Sequence, residues 1–261
     1  MRDAHGLLLP LLFLSACGGG GGGSAQPAES PGGIWFGSDS ASEPVVVYIA
    51  ETGDLKAQLT LPGEIRTSFG TGLVGVSSGD ALAGSFELRG PVPPGLTQQQ
   101  DLGCAISGTV DERRLLSAAI SCSDDNGVVY DESLELTYDA LRYEAGSSLD
   151  AIAGNYTLSL SPDTNMLNVV GDGTLFGMYD NGARCTVNGQ ATIIDEAYAL
   201  IAIDWSFSGC TDALDLFEGV EMSGFAMPNP PSNFTLEGYY FLLTGRTSRG
   251  LHVISVLYEP V

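Results

Sequence analysis

Three groups of residues in this sequence have the types and spacing to do chemistry. Gly75-Val-Ser77-Ser-Gly79 fits the Gly-x-Ser-x-Gly pattern that exposes a serine nucleophile on a strand-to-helix turn. Such a serine needs a base, and the one histidine beyond the N-terminal leader is His252. The pattern arises cheaply in a chain with 35 glycines, and the next segment, Ala81 to Arg89, reads as a strand. A serine hydrolase using Ser77 is therefore the weakest functional reading. His252 reads better as a structural residue on one face of the last strand. Asp124-Asp125-Asn126 and Asp212 to Glu218 gather the oxygen ligands that calcium takes, but neither completes an EF-hand loop. Solvated acidic loops are expected, with no metal and no cofactor. In Tyr239-Tyr240-Phe241 the first and third rings share one strand face, which either lines a cavity for an apolar ligand or packs a core.

The cysteines carry a stronger signal. Cys104-Ala-Ile-Ser-Gly108 is followed by Cys122-Ser-Asp124, and Cys185-Thr-Val-Asn-Gly189 by Cys210-Thr-Asp212. Residue 113, midway between Cys104 and Cys122, lies in the polar turn Asp111-Glu112-Arg113-Arg114, flanked by strand-like segments. Folding that hairpin sets the two cysteines opposite each other, within disulfide reach. The pair Cys185 and Cys210 brackets the break Asp195-Glu196 less symmetrically, so a bulge or looser turn is needed. Cys104–Cys122 with Cys185–Cys210 is one of three connectivities open to four cysteines. A zinc site would need a Cys-x-x-Cys knuckle, which is missing. The shared signature, and the openings Gly33-Ile-Trp35 and Gly154-Asn-Tyr156, suggest a duplicated unit.

The elements that position these residues are strands. Val45 to Ala50, Leu55 to Leu61, Leu134 to Tyr138 and Val253 to Tyr258 are typical, separated by turns such as Glu51-Thr-Gly-Asp54 and Gly171-Asp-Gly173. Each half holds about eight. The expected fold is all-β: two tandem antiparallel meander domains, each a small eight-stranded barrel or sandwich. Residues 139–145 and 149–153 read as short helical turns between the halves. Pro91-Val-Pro-Pro-Gly95 and Pro228-Asn-Pro-Pro231 are loops in equivalent-looking hairpins, positions that often carry binding. Acidic residues outnumber basic ones 32 to 10, a net charge of −22 that repels nucleic acid.

At the N-terminus, Leu7 to Phe13 is apolar but too short to span a bilayer. Leu14-Ser15-Ala16-Cys17, followed by six glycines, resembles the bacterial lipoprotein box. The resemblance implies a signal peptide over 1–16 and acylation (palmitate or a like chain) of Cys17. Residues 17–33 then form a glycine-rich tether of roughly 20–24 Å, with β domains at 34–146 and 147–261. The glycine run is also similar to that of transferrin-binding-protein-like lipoproteins, which implies an envelope location, with Gly18 favouring the outer membrane. The expected function is a non-enzymatic binding or structural module held to the membrane, with an envelope protein as partner. The alternative is carriage of a small apolar ligand in a barrel cavity.

Overall fold

The computed structural model describes residues 30–60, 67–77, 79–89, 101–158, 165–180, 184–211, 216–229 and 238–261. Cys17 and the rest of the leader, both proline-rich loops in large part, and Asp212 to Asp215 lie outside them. The first eight strands are β1 (Gly33–Ser38), β2 (Pro44–Ile49), β3 (Asp54–Thr60), β4 (Thr67–Val76), β5 (Ala81–Arg89), β6 (Asp101–Asp111), β7 (Leu115–Asp124) and β8 (Gly127–Tyr138). They pair antiparallel in chain order and close through Trp35↔Tyr138 and Phe36↔Thr137. Two short helices follow, α1 (Ala140–Tyr143) and α2 (Leu149–Ile152), where the sequence predicts helical turns. Asp139 and Ser148 cap them, accepting from the amides of Arg142 and Ala151 at 3.1 Å each.

The second set is β9 (Gly154–Leu158), β10 (Met166–Val169), β11 (Thr174–Asp180), β12 (Arg184–Ile193), β13 (Ile201–Ser208), β14 (Glu221–Asn229), β15 (Gly238–Thr247) and β16 (Gly250–Pro260). It closes through Tyr258↔Leu158, Glu259↔Thr157 and Pro260↔Tyr156. The chain is thus all-β, and both meanders are barrels. Closure pairs every strand on both sides and leaves no open edge.

Strand alternation decides what fills each barrel. In β6 and β7, Leu102, Cys104, Ile106, Leu116, Ile120 and Cys122 are buried while their neighbours are exposed or partly so. Barrel 2 is filled the same way and is richer in rings: Phe241 is fully buried between Trp205, stacked at 6.2 Å, and Tyr258, edge-on at 5.3 Å.

Both expected disulfides are formed. Cys104 and Cys122 are direct cross-strand partners. Cys185 lies on β12, whereas Cys210 lies just past the end of β13, reached through Gly209 at φ +60°. The longer turn of residues 194–200 accounts for the asymmetric spacing. The shared Cys-x-x-x-Gly signature has a local cause. Residues four apart on a strand face the same way, so Gly108 and Gly189 point inward with their cysteines. A side chain at either would run into the next strand, at the Ser117 or Asp204 carbonyl. The suggested duplication is not matched by position: the bonded strands are the sixth and seventh of barrel 1 but the fourth and fifth of barrel 2. The proline loops differ likewise, joining β5 to β6 in one barrel and β14 to β15 in the other.

Cys104 and Cys122 are sealed in the interior, while Cys210 is partly exposed. Graded dithiothreitol should open Cys185–Cys210 first, and mass mapping of alkylated thiols would show the reverse order if burial does not control access. Urea unfolding of the Cys104→Ala/Cys122→Ala double variant should show a loss of about 3 kcal/mol, the value for a loop of this length.

Candidate functional site

The two barrels lie side by side, joined by outer faces rather than by their interiors. On β14 and β15, inward residues such as Ala226 and Phe241 alternate with Phe225, Met227, Tyr240 and Leu242, which point out. Phe225, Met227 and Leu242 are nevertheless buried, because they pack with Tyr48 and its neighbours on the outside of barrel 1. Helix α1 fastens one end. The Tyr143 ring stacks on Tyr198 at 4.7 Å, its carbonyl accepts from the Ala199 amide at 2.7 Å, and its hydroxyl donates to Glu51 at 3.2 Å. At the other end Asp101 accepts from the Leu251 amide at 2.7 Å, and Arg246 pairs with both Glu87 and Asp101. Gly250 makes this possible: its φ is +102°, and a side-chain carbon there would sit 2.7 Å from the Asp101 carboxylate.

Lys56, the only lysine in the chain, stands in the middle of this seam. It is on the outer face of β3 yet 5% exposed. Its ammonium donates to Thr71 at 2.6 Å and, across the seam, to Thr244 at 2.9 Å. An ammonium has three donors, so one has no partner among the described residues. No carboxylate is in ion-pair contact with it among those residues; Asp54 and Asp204 act from farther off. Burial pushes the amine down to about 8, against the weaker upward pull of those two acids.

Above Lys56 the barrels diverge into a groove. One lobe, of 880 Å³, lies against β3 to β7 and is lined by Lys56, Leu73, Ser85, Ala105 and Ser121. The other, of 720 Å³, lies against β12 to β15 and is lined by Asn188, Gln190, Asp204, Ser206 and Glu221. Both lobes contain Thr71, Glu87 and Ser223, so they are two walls of one groove. The charged lining residues are Asp54, Glu87, Asp204 and Glu221 against Lys56 and Arg246, a net of −2 beside −22 for the chain. These walls are paired strands carrying polar side chains, with Leu73 and Val128 exposed on the barrel 1 side.

The residues singled out by sequence lie elsewhere. Ser77 sits in the hairpin between β4 and β5, where its hydroxyl donates to the Ala81 carbonyl at 3.4 Å. The strand-turn-helix context of a nucleophile elbow is not present there. His252, on β16, packs edge-on against Phe217 at 5.1 Å. Burial first, then Arg89, lowers its affinity for a proton. Asp124 is a turn former: its carboxylate accepts from the amides of Asn126 (2.7 Å) and Gly127 (3.0 Å), which holds its pKa down. Among the described residues no group of three or more His, Cys, Asp or Glu is arranged to hold a metal ion. Of the aromatic triplet, Phe241 fills the core, Tyr239 donates to the Ala151 carbonyl, and Tyr240 turns into the seam, bonded to Ser255.

Lys56 sets a pH dependence. Its pKa is about 8 folded and 10.5 in the reference state, so between these values the unfolded chain binds more protons, and stability rises with pH. Below pH 8 the buried charge costs on the order of 3 kcal/mol relative to an exposed one. Lys56→Met should flatten the rise between pH 8 and 10 and leave stability at pH 7 unchanged or increased by about 1–2 kcal/mol. Urea titrations across that range check this. A parallel slope in both proteins would contradict it.

No family model matches this chain, and no curated protein matches it in sequence.

Proposed function

We propose that this protein is a lipid-anchored envelope module that binds a partner without chemistry, and that the inter-barrel groove is where it binds. The observation that carries this reading is the groove itself: walls of paired strands, a mixed lining with many hydroxyl, amide and carboxylate groups, and a buried lysine with a donor to spare among the described residues. The filled barrel interiors support it over carriage of a small apolar ligand, since the inward rings pack against one another. The hairpin setting of Ser77 likewise supports binding over hydrolysis.

The anchor reading rests on Leu14 to Cys17 and the glycines behind them, with attachment to the membrane through acyl chains on Cys17. The chain enters barrel 1 beside Glu51 and Tyr143, at the end that carries the turn of residues 50–53. The long connections β5–β6 and β13–β14 leave the opposite ends of their barrels. A tether at Cys17 would therefore attach at the end opposite those connections and the Glu87–Arg246 end of the groove.

Expression in a Gram-negative host with an alkyne-tagged palmitate should label the wild type and not Cys17→Ser. In the same cells, a photo-cross-linking residue placed at Ser121 or Asn188, one on each wall, should form adducts. One placed at Phe176, exposed on β11 outside the groove, should not. Equal labelling of the Cys17→Ser variant would overturn the anchor. Adducts from Phe176 alone, or from no position, would overturn the site.

A further inference from the structure

We propose that the groove takes a neutral glycan, laid along both walls with one of its oxygens on the unused donor of Lys56. The inference deepens the binding reading above and rests on it.

The lining selects among ligand classes. Thr71, Ser85, Ser121 and Asn188 present groups that both donate and accept, while Gln190 and Ser206, whose hydrogens go to backbone carbonyls, add acceptors, a match for a ligand made of hydroxyls. Glu87, Asp204 and Glu221 add acceptors for those hydroxyls. The same acids disfavour a polyanion, as does the charge of the whole chain. A cationic ligand would meet Lys56 at the floor. A purely apolar ligand would meet exposed Leu73 and Val128 on one wall but hydroxyls, amides and carboxylates over much of the rest, since the rings Phe86 and Trp205 are buried and belong to the barrel interiors. An extended peptide binds best by adding a strand to a free edge, and closed barrels offer none. Each lobe falls in the range of small-molecule sites, about 300–1,000 Å³.

Lys56 supplies the second, independent indication. Thr71 and Thr244 fix two of its donors, which orients the ammonium, and among the described residues neither a third acceptor nor a counter-charge is in contact with it in the groove it lines. An acceptor oxygen there recovers a hydrogen bond to a charged donor, among the stronger polar contacts a protein makes.

Because the chain has one lysine, ¹⁵N-lysine labelling reports this amine alone. Full-length protein is titrated with cellotetraose, tetra-N-acetylchitotetraose and polygalacturonate. At least one neutral tetrasaccharide should shift the Lys56 Nζ signal saturably, with polygalacturonate weaker. Lys56→Met, which has no lysine signal and is followed by titration calorimetry beside the wild type, should weaken that binding at least tenfold. Asn188→Ala, an exposed wall residue whose loss spares the core, should weaken it several-fold. The glycan inference is overturned if neither neutral probe moves the signal, if polygalacturonate binds more tightly, or if both variants bind like the wild type. Cross-links from Ser121 and Asn188 without any glycan response would remove this inference alone; loss of those cross-links would remove the groove reading too.

Discussion

A closed barrel has one inside and one outside, and a strand with period two can fill only the first with apolar side chains. Strands β14 and β15 carry apolar residues on both faces, so their outer face has to be covered by something. Barrel 1 is what covers it. Phe225, Met227 and Leu242 project outward from barrel 2 and are as dry as core residues. That contact sets the separation of the barrels and makes the crevice beside it. It also strips water from Lys56, a residue that would otherwise be an ordinary surface amine on β3.

Burying Lys56 with no ion partner among the described residues works against stability, and its hydrogen bonds to Thr71 and Thr244 only partly offset the lost hydration. A hydrophobic residue of similar volume would serve the seam better. The amine at this position is therefore better explained by what it does in the groove than by what it does for the fold. The Glu87–Arg246 pair differs, since both partners are about half exposed and the pair contributes little.

The fold was readable from the sequence because the physics that shapes it is local. Alternation in Leu134 to Tyr138 and turn chemistry at residues 51–54 and 171–173 mark strands and hairpins directly. The hairpin around Asp111 to Arg114 brings Cys104 onto Cys122 without reference to anything distant. The groove was not readable. Lys56 pairs with Thr244 across a separation of 188 residues, and nothing in Leu55-Lys56-Ala57 distinguishes a seam lysine from a solvated one. One signal was present: Tyr239 to Leu243 is apolar without a break, the mark of a strand buried on both faces. The duplicated cysteine signature misled for a related reason. It reports the constraint on any inward-facing Cys-x-x-x-Gly in a tight barrel, so it recurs at non-equivalent strands without common descent being needed.

The groove exists only if the two barrels form one body through the outer face of β14 and β15. ¹⁵N relaxation of the full chain measures this most directly. The structure predicts a single rotational correlation time shared by amides of both barrels, as for one body of their combined size. Two shorter times, each fitting a lone barrel, would contradict it.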